Sequence, residues 1–289
     1  MKSFVFICLL CLTLMCQAVT IDMSAGEELF RSNTGMYGET IVIDQNEEVA
    51  RGNYADKIVS QLFTIHDTAT TTLTPLSPIS GTAEVFNFIE TPVNLWLSSS
   101  SAEDTSGGDG IWSWFIKGVG EDTNCTSEVI ETSGQTPVMT TKKYYHINIM
   151  YPYSANTGEV NTGDIYVYTT GEVSSGVPDD LDTLVTGVAA SESVAHHGMF
   201  MVPGDRTWYI VNNEFISGFA PNTTFQLRAR LWGSFDLLNI PLYMSATSIA
   251  NKYAFPQRLA PLTRIYIMVQ TSSGTNPVSG YVSFKIIKD

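Results

Sequence analysis

The side chains best suited to acid–base or metal chemistry are four histidines: His66, His146, His196 and His197. Nucleophilic hydrolysis needs a nucleophile beside a base that a third group orients, and no Gly-x-Ser-x-Gly motif accompanies these histidines. His66 precedes Asp67, but adjacent residues of a strand point to opposite faces and do not form part of a triad. The same geometry separates His196 from His197, although a turn would let both bind one metal ion. We therefore predict no catalytic residue, no metal site and no cofactor, and we expect a protein that is not an enzyme.

Carboxylates occur in three groups: Glu27 with Glu28, Glu47 with Glu48, and Asp179 and Asp180 with Asp182. A glycoside hydrolase uses two carboxyl groups about 5 to 9 Å apart, a distance that the sequence does not supply. The aspartate group follows Gly176 in a predicted loop and offers oxygen ligands for calcium, but it lacks the glycine and the terminal glutamate of a calcium-binding loop. We predict a solvated acidic loop, with calcium binding as the alternative.

Three tyrosines near two predicted strands, Tyr144, Tyr151 and Tyr153, could stack on sugar rings if they are exposed. Aromatic residues at strand spacing are more often core residues or members of cross-strand pairs. Sugar binding is therefore the second interpretation of these residues.

The N terminus has the three parts of a secretory signal peptide. Lys2 supplies the basic residue, residues 4–15 form an apolar run, and Cys16 and Gln17 lead to the small residue Ala18. The run is about 12 residues long, whereas a membrane-spanning helix needs roughly 20. We predict cleavage after Ala18 and a virion or extracellular location. A retained membrane anchor and a lipoprotein modified at Cys16 are the alternatives.

Removal of residues 1–18 leaves Cys125 as the one remaining cysteine, so the processed chain has no partner for an internal disulfide. We expect an unpaired, partly buried thiol, with a bridge between subunits as the alternative. Two N-glycosylation sequons begin at Asn124 and Asn222. Both are candidate attachment sites if the chain passes through a eukaryotic secretory pathway.

Charge and composition exclude some partners and favour one fold class. The chain has 15 Lys and Arg against 29 Asp and Glu, a formal net charge of -14, so it repels phosphate backbones and anionic lipids. We therefore predict no nucleic-acid partner. Hydrophobic residues make up 44% and charged residues 15% of the chain, which is typical of a globular protein. The 11% of aromatic residues, together with abundant Thr, Val and Ile, favours strands.

Alternation of apolar and polar residues predicts antiparallel strands along most of the chain. The clearest example is residues 225–232. Its alternation assigns Leu227 and Leu231 to the core, and Arg228 and Arg230 to the solvent-facing side. Turn-forming residues separate the predicted strands, and no long helical pattern follows the signal peptide. We predict an all-β fold, an antiparallel β-sandwich of the jelly-roll type.

A tract rich in Ser and Gly, residues 98–110, interrupts the strand pattern and is predicted to be an exposed loop or an interdomain linker. The predicted organisation is a signal peptide (1–18), an N-terminal β unit (19–97), this tract, and a β-sandwich domain (111–289). The chain shows no fixed-period repeat, which argues against a propeller or a solenoid.

The order of five short motifs resembles that in a group of uncharacterised virion-associated β proteins of marine tailed phages and large algal viruses. The motifs are residues 118–124 (GVGEDTN), 129–138 (VIETSGQTPV), 144–151 (YYHINIMY), 161–165 (NTGDI) and 201–210 (MVPGDRTWYI). Their glycines and prolines are typical of hairpin turns. The resemblance, over about residues 110–232, implies a β-rich structural protein and supplies no catalytic residue. Phage structural proteins carry no signal peptide, so its presence indicates a eukaryotic or large-virus context, or a secreted relative.

Three functions are compatible with these observations. The leading hypothesis is a non-enzymatic structural or surface protein, a virion component such as a capsid decoration, fibre or minor structural protein. It would work by assembly or attachment, with copies of itself or other virion proteins as partners. The second hypothesis is a secreted adhesion or glycan-binding β-sandwich whose partner is a cell-surface glycan or receptor. The third is a secreted hydrolase that uses scattered carboxylates.

Overall fold

The computed structural model describes residues 58–69, 71–76, 79, 88–155, 160–192, 194–195, 198–217, 223–231, 237–243 and 248–288. The chain divides into two units, Met1–Asn53 and Tyr54–Asp289, and every described residue belongs to the second. The predicted signal peptide, its cleavage site after Ala18 and the glutamate pairs at 27–28 and 47–48 lie outside the described residues.

The described residues form antiparallel strands and one 3-10 helix, Leu181–Thr183, which confirms the all-β prediction. No helix among them has the length and apolar character needed to cross a membrane. The strands are β1 (Ile58–Ala69), β2 (Thr74–Pro75), β3 (Val93–Ser99), β4 (Ile111–Gly120), β5 (Cys125–Glu131), β6 (Val138–Ala155), β7 (Ile165–Tyr168), β8 (Val173–Ser174), β9 (Val177–Pro178), β10 (Leu184–Val188), β11 (Met199–Met201), β12 (Arg206–Ser217), β13 (Thr223–Leu231), β14 (Leu237–Tyr243), β15 (Ser248–Leu259), β16 (Thr263–Thr271) and β17 (Asn276–Lys288).

Two of the sheets have the strand order of a jelly roll. The first has the order β1-β17-β12-β15, and the second has the order β11-β16-β13-β14, with β2 also paired to β16. We count β2 and β11 as two halves of one strand and leave out β3 to β10, which lie between them in the chain. The two sheets then contain eight strands, numbered here in chain order. The first sheet then contains strands one, eight, three and six, and the second contains two, seven, four and five. This arrangement is the double Greek key of a jelly-roll sandwich.

Apolar side chains of the two facing sheets fill the jelly roll. Apolar residues alternate with more polar ones along β17, so its apolar side chains share one face. Val282 and Phe284 of this face are fully buried. Across the core, Phe215 of β12 stacks on Phe225 of β13, with ring centroids 4.6 Å apart and an interplanar angle of 16°. Burying a side chain of this size contributes about 2 to 3 kcal/mol, so this core is the main stabilising element of the sandwich.

The second jelly-roll strand is interrupted by an insertion, residues 77–197. The Leu76 amide donates to the Ile267 carbonyl (3.0 Å), and the Ile267 amide donates to the Gly198 carbonyl (2.6 Å). The Gly198 amide donates to the Leu76 carbonyl (3.0 Å). The chain therefore leaves the strand and returns to it opposite the same residue of β16.

Gly198 is required by this close approach. A Cβ at this position would lie 2.9 Å from the Ile267 carbonyl oxygen and 2.9 Å from Leu76 Cβ. Both distances are shorter than those that Cβ atoms make in real structures. The strand that returns at Gly198 cannot move away from β16 and Leu76 without loss of hydrogen bonds.

The insertion contains a six-stranded sheet of order β10-β7-β3-β6-β4-β5. Leu97 of β3 and Trp114 and Ile116 of β4 are fully buried in a core of its own. β10 contacts β6 although β7 and β3 lie between them in the sheet, so the sheet curls around this core. A second, smaller cluster packs Tyr166 and Tyr168 of β7 with Met199 of the jelly roll.

Residues 98–110 are a folded connection within this sheet. Ser98 and Ser99 are buried at the end of β3, and the tract leads to β4 of the same sheet. Asp104 is fully buried, while Gly107 and Asp109 lie at the surface or close to it. β3 before the tract pairs with β6 and β7 after it, so the residues on both sides of the tract belong to one sheet.

The strand predicted from residues 225–232 is β13, which pairs with β14 and β16. Leu227 is 2% exposed and belongs to the core, as predicted, and Arg228 and Arg230 are partly exposed on the other face. The assignment of Leu231 to the core is wrong, because this residue is 47% exposed. It is the last residue of β13, and burial ends with Ala229 on this face of the strand.

The contrast between the two faces of β13 gives a stability prediction. Leu227→Ala should lower the free energy of unfolding by about 2 to 5 kcal/mol, because transfer energy is lost and a cavity remains. Arg228→Ala and Leu231→Ala should each cost no more than about 0.5 kcal/mol, since both side chains reach the surface. Urea unfolding of the three variants measures the difference. A tolerant Leu227 beside an intolerant Arg228 would show that the register is shifted by one residue.

Candidate interaction surface

The histidines do not form a catalytic group among the described residues. His66 lies in β1 opposite Ser279 of β17, and His196 and His197 lie outside the described residues. His146 is fully buried between the inserted sheet and the jelly roll. Its Nε2 is 3.0 Å from the Met199 carbonyl oxygen, and its ring lies 4.6 Å from the Phe88 ring. Its position is that of a structural core residue.

The aspartates predicted as a solvated loop or a calcium site are exposed at the 3-10 helix. Asp180 caps this helix by accepting from the Asp182 amide (3.0 Å), and Asp179 accepts from the Ser174 hydroxyl (2.6 Å). No group of three or more metal-ligating side chains occurs in the part of the chain that the structure describes. Their contacts are those of a capped surface turn.

Cys125 and the first sequon asparagine, Asn124, are adjacent at the start of β5, whereas the second sequon asparagine is not among the described residues. Cys125 has a free, partly buried thiol at the start of β5. Asn124 is exposed in the turn between β4 and β5, where its side-chain amide donates to Asp122 (3.0 Å). Asn222 lies outside the described residues. Glycosylation of both asparagines stays a prediction.

Of the three tyrosines predicted as core or sugar-stacking residues, one is buried and two are exposed. Tyr144 is fully buried, and burial, with the nearby Glu128 carboxylate, raises the pKa of its phenol. Tyr151 and Tyr153 are 41% and 63% exposed on β6. Tyr144 belongs to the first half of β6, which pairs with β3, whereas Tyr151 and Tyr153 belong to the half that lies beside β4.

An apolar row crosses the face of the inserted sheet that is turned away from its own core. Two residues before Tyr151 on β6, Ile149 of the same face packs against the jelly-roll core. Phe115 of β4 lies opposite Val129 of β5 on one side and opposite Tyr151 of β6 on the other. Directly opposite residues share one face of a sheet, and the neighbours Trp114 and Ile116 point into the buried core. Val129 is 42% exposed. Three neighbouring strands therefore present apolar side chains together at the surface.

The rings in this row are held in place. Phe115 and Tyr151 stack with ring centroids 4.9 Å apart and an interplanar angle of 29°, a geometry worth about 1 kcal/mol beyond burial. The register shift between Ser113 and Trp114 pairs these residues with Ser154 and Pro152, which leaves Tyr153 without a partner on β4. Such a bulge redirects a side chain. Phe115 was missed in the sequence because β4 is apolar along most of its length and shows no alternation. Val129 was missed because β5 is short and has one other apolar residue after it, Ile130.

The connection that leads into β4 is fixed by a buried carboxylate. Asp104 accepts from the Thr162 amide (2.8 Å), the Gly163 amide (2.9 Å) and the Ser99 hydroxyl. A Cβ at Gly110 would lie 1.9 Å from Asp104 Oδ1, so glycine is needed where β4 begins. These three donors satisfy the buried carboxylate and fix the loop against the turn before β7.

A neighbouring carboxylate extends the same network. Asp164 accepts from the Ala190 amide (2.8 Å) and from the Tyr166 hydroxyl (3.3 Å), and its own amide donates to the Ser100 hydroxyl (2.9 Å). Burial raises the pKa of Tyr166 to about 12, and the Asp164 carboxylate adds to this effect. The loop before β4 and the turn before β7 are therefore joined by hydrogen bonds.

Glu128 of β5 joins this strand to β6. Its carboxylate accepts from the Thr141 amide (2.9 Å), the Lys142 amide (3.1 Å) and the Thr141 hydroxyl (2.6 Å). Lys142 Nζ donates to the Ser127 carbonyl (2.6 Å). These contacts fix the first half of β6 beside β5.

The fold defines a jelly-roll protein with a six-stranded sheet inserted into its second strand. No family model matches the chain, and no curated protein matches it. Among solved structures, it is similar to the mosquito-larvicidal Cry4Aa toxin from Bacillus thuringiensis, with 8% identity and a TM-score of 0.23 over 82% of this chain. The chain spans about half, 55%, of that toxin. It is also similar to the VP2 subviral particle of infectious bursal disease virus, with 11% identity and a TM-score of 0.20 over 80% of this chain and 72% of that chain. Matches at these TM-scores identify no family.

The Asp104 network gives a second stability prediction. Asp104→Ala should lower the free energy of unfolding by about 2 to 4 kcal/mol, because two backbone amides and a hydroxyl lose their acceptor in a buried site. Asp109→Ala, at an exposed position of the same loop, is the matched control and should change it by no more than about 0.5 kcal/mol. Urea unfolding followed by tryptophan fluorescence measures both. Equal, small effects would contradict the structural role of Asp104.

Proposed function

We propose that this protein is a non-enzymatic structural or surface protein that works by assembly, as a virion component such as a capsid decoration, fibre or minor structural protein. The jelly-roll topology supports this proposal, since double-sheet jelly rolls recur in viral capsid domains. Jelly rolls also occur in lectins and cupins, and a fold does not determine a function. The argument for assembly therefore depends on a feature of the surface.

The observation that carries the proposal is the edge strand β1. It lies at the end of the first jelly-roll sheet and pairs with β17 over all of Ile58–Ala69 without a register shift. Among the described strands it has no second partner. Monomeric proteins protect such edges with Lys, Pro, bulges or short strands. β1 contains no Lys and no Pro, and Asp67 is its one charged residue.

An edge of this length can pair with the same edge of a second copy. The backbone amides and carbonyls on the outer side of a twelve-residue strand form a template for hydrogen bonding. Pairing two such edges would join the first sheets of two molecules into one. The partner in this proposal is therefore another copy of the chain, or another virion protein with an open edge.

A charge placed beside this edge tests the assembly. Thr64 lies near the middle of β1, opposite Tyr281 of β17, which is partly exposed, so Thr64→Lys adds a charge to the edge strand. We expect the unaltered protein to form oligomers in analytical ultracentrifugation and Thr64→Lys to sediment as a monomer. Thr170→Lys, at an exposed position after β7, is the matched control and should assemble normally. A monomeric unaltered protein, or a Thr64→Lys variant that assembles like it, would contradict edge pairing.

The virion assignment has its own test. Mass spectrometry of purified virus particles and of the surrounding medium measures where the chain is found. Recovery in particles is the expected result, whereas a chain found free in the medium alone would favour a secreted protein.

A further inference from the structure

The exposed row on the inserted sheet has the size of a small-ligand site. Neighbouring strands lie about 4.8 Å apart, so the distance from Val129 on β5 to Tyr151 on β6 is about 10 Å. Tyr153 extends the surface by two residues, about 7 Å, along β6. A stable protein–protein interface buries roughly 800 Å² on each partner, about ten times the product of these two lengths. The row fits one or two sugar rings much better than a protein partner.

The chemistry of the row is also that of a sugar platform. The face of an aromatic ring carries negative charge density, and it attracts the C–H groups on one side of a pyranose ring. Phe115 stacks on one face of Tyr151 and fixes it, so the other face of Tyr151 and the ring of Tyr153, which is 63% exposed, are the surfaces open to a sugar. The phenol hydroxyls can donate to and accept from sugar hydroxyls. A platform with rings already fixed loses little conformational freedom when a ligand binds.

A carboxylate lies at one end of the platform. Glu131 is exposed two residues after Val129 on β5, and a carboxylate accepts hydrogen bonds from hydroxyl groups. At the other end, Lys117 of β4 and Ile149 of β6 line a cavity with Trp208 and Ile286 of the jelly roll. The net charge of -14 repels sialylated or sulfated sugars. The site therefore favours an uncharged sugar.

We propose that the exposed part of this face binds a neutral carbohydrate on the platform formed by Tyr151 and Tyr153, with Phe115 supporting Tyr151. The ligand class is a neutral hexose or N-acetylhexosamine unit, with the Glu131 carboxylate as an acceptor at one end. This inference goes beyond assembly and does not depend on it, because the platform and β1 belong to different sheets.

Saturation-transfer NMR on the full chain tests the proposal. The probes are the methyl glycosides of glucose, galactose, mannose and N-acetylglucosamine, with sialic acid as the anionic comparison. At least one neutral glycoside should show saturation transfer, and sialic acid should show none. Tyr151→Ala and Tyr153→Ala should each lower the signal at least fivefold, whereas Tyr151→Phe, which keeps the ring, should retain most of it.

Two controls separate binding from folding. Met139→Ala alters another exposed residue of β6 (51% exposed) and should leave the signal unchanged. Thermal melts of Tyr153→Ala, Tyr151→Phe and Met139→Ala should coincide with that of the unaltered protein, since these changes are at the surface. Tyr151→Ala loses the stacking on Phe115 and should melt a few degrees lower, still as a folded protein.

Three results would overturn the inference. These are no transfer from any neutral glycoside, equal transfer in both alanine variants and the unaltered protein, and transfer from sialic acid that depends on Tyr151. Because Thr64→Lys leaves the platform intact, failure of sugar binding and failure of assembly are distinguishable.

Discussion

The fold depends on the hydrogen bonds that join Leu76, Gly198 and Ile267. They let one strand of the jelly roll be interrupted by residues 77–197 while its two halves remain paired to the same neighbour. Since the chain returns where it left, the insertion costs the sandwich little of its own pairing. The jelly roll and the inserted sheet can then each bury a separate apolar core. A side chain at Gly198 would force these elements apart, so a single glycine permits the architecture.

A second contact fixes the orientation of the inserted sheet. The Asn148 side chain donates to the Met201 carbonyl (2.7 Å) and accepts from the Met201 amide (2.8 Å), so it pairs with β11 as a strand backbone would. Asn148 is 5% exposed, and buried polar groups are costly unless they are paired. Only one placement of β6 against β11 satisfies this side chain, whereas apolar contacts alone would tolerate several. The sheet that carries the aromatic platform is therefore held at a defined position.

Local patterns in the sequence predicted the strands. They failed where the burial or pairing of a residue depends on residues far away in the chain. The alternation of β13 predicts its buried face because a half-exposed strand has a period of two, and Leu231 fails because alternation does not indicate where the facing sheet ends. The insertion could not be predicted, since β2 and β11 are two and three residues long and pair with a strand far along the chain. The exposure of Tyr151 could not be separated from the burial of Tyr144, because the face of β6 that carries the polar residues His146 and Asn148 is itself buried against β11.

The separation of the two cores determines how the two proposed activities relate. The β1 edge belongs to the sheet that closes the jelly-roll core, and the platform belongs to the sheet that closes the inserted core. Substitutions at sites that share no partner usually have additive effects. Assembly through the edge would therefore leave the platform unchanged, and each added copy would present one more platform on the same particle. A weak site for one sugar ring becomes effective when many copies are linked, because each further contact is then intramolecular. An assembled particle could therefore attach to a glycan-covered surface even though each platform is small.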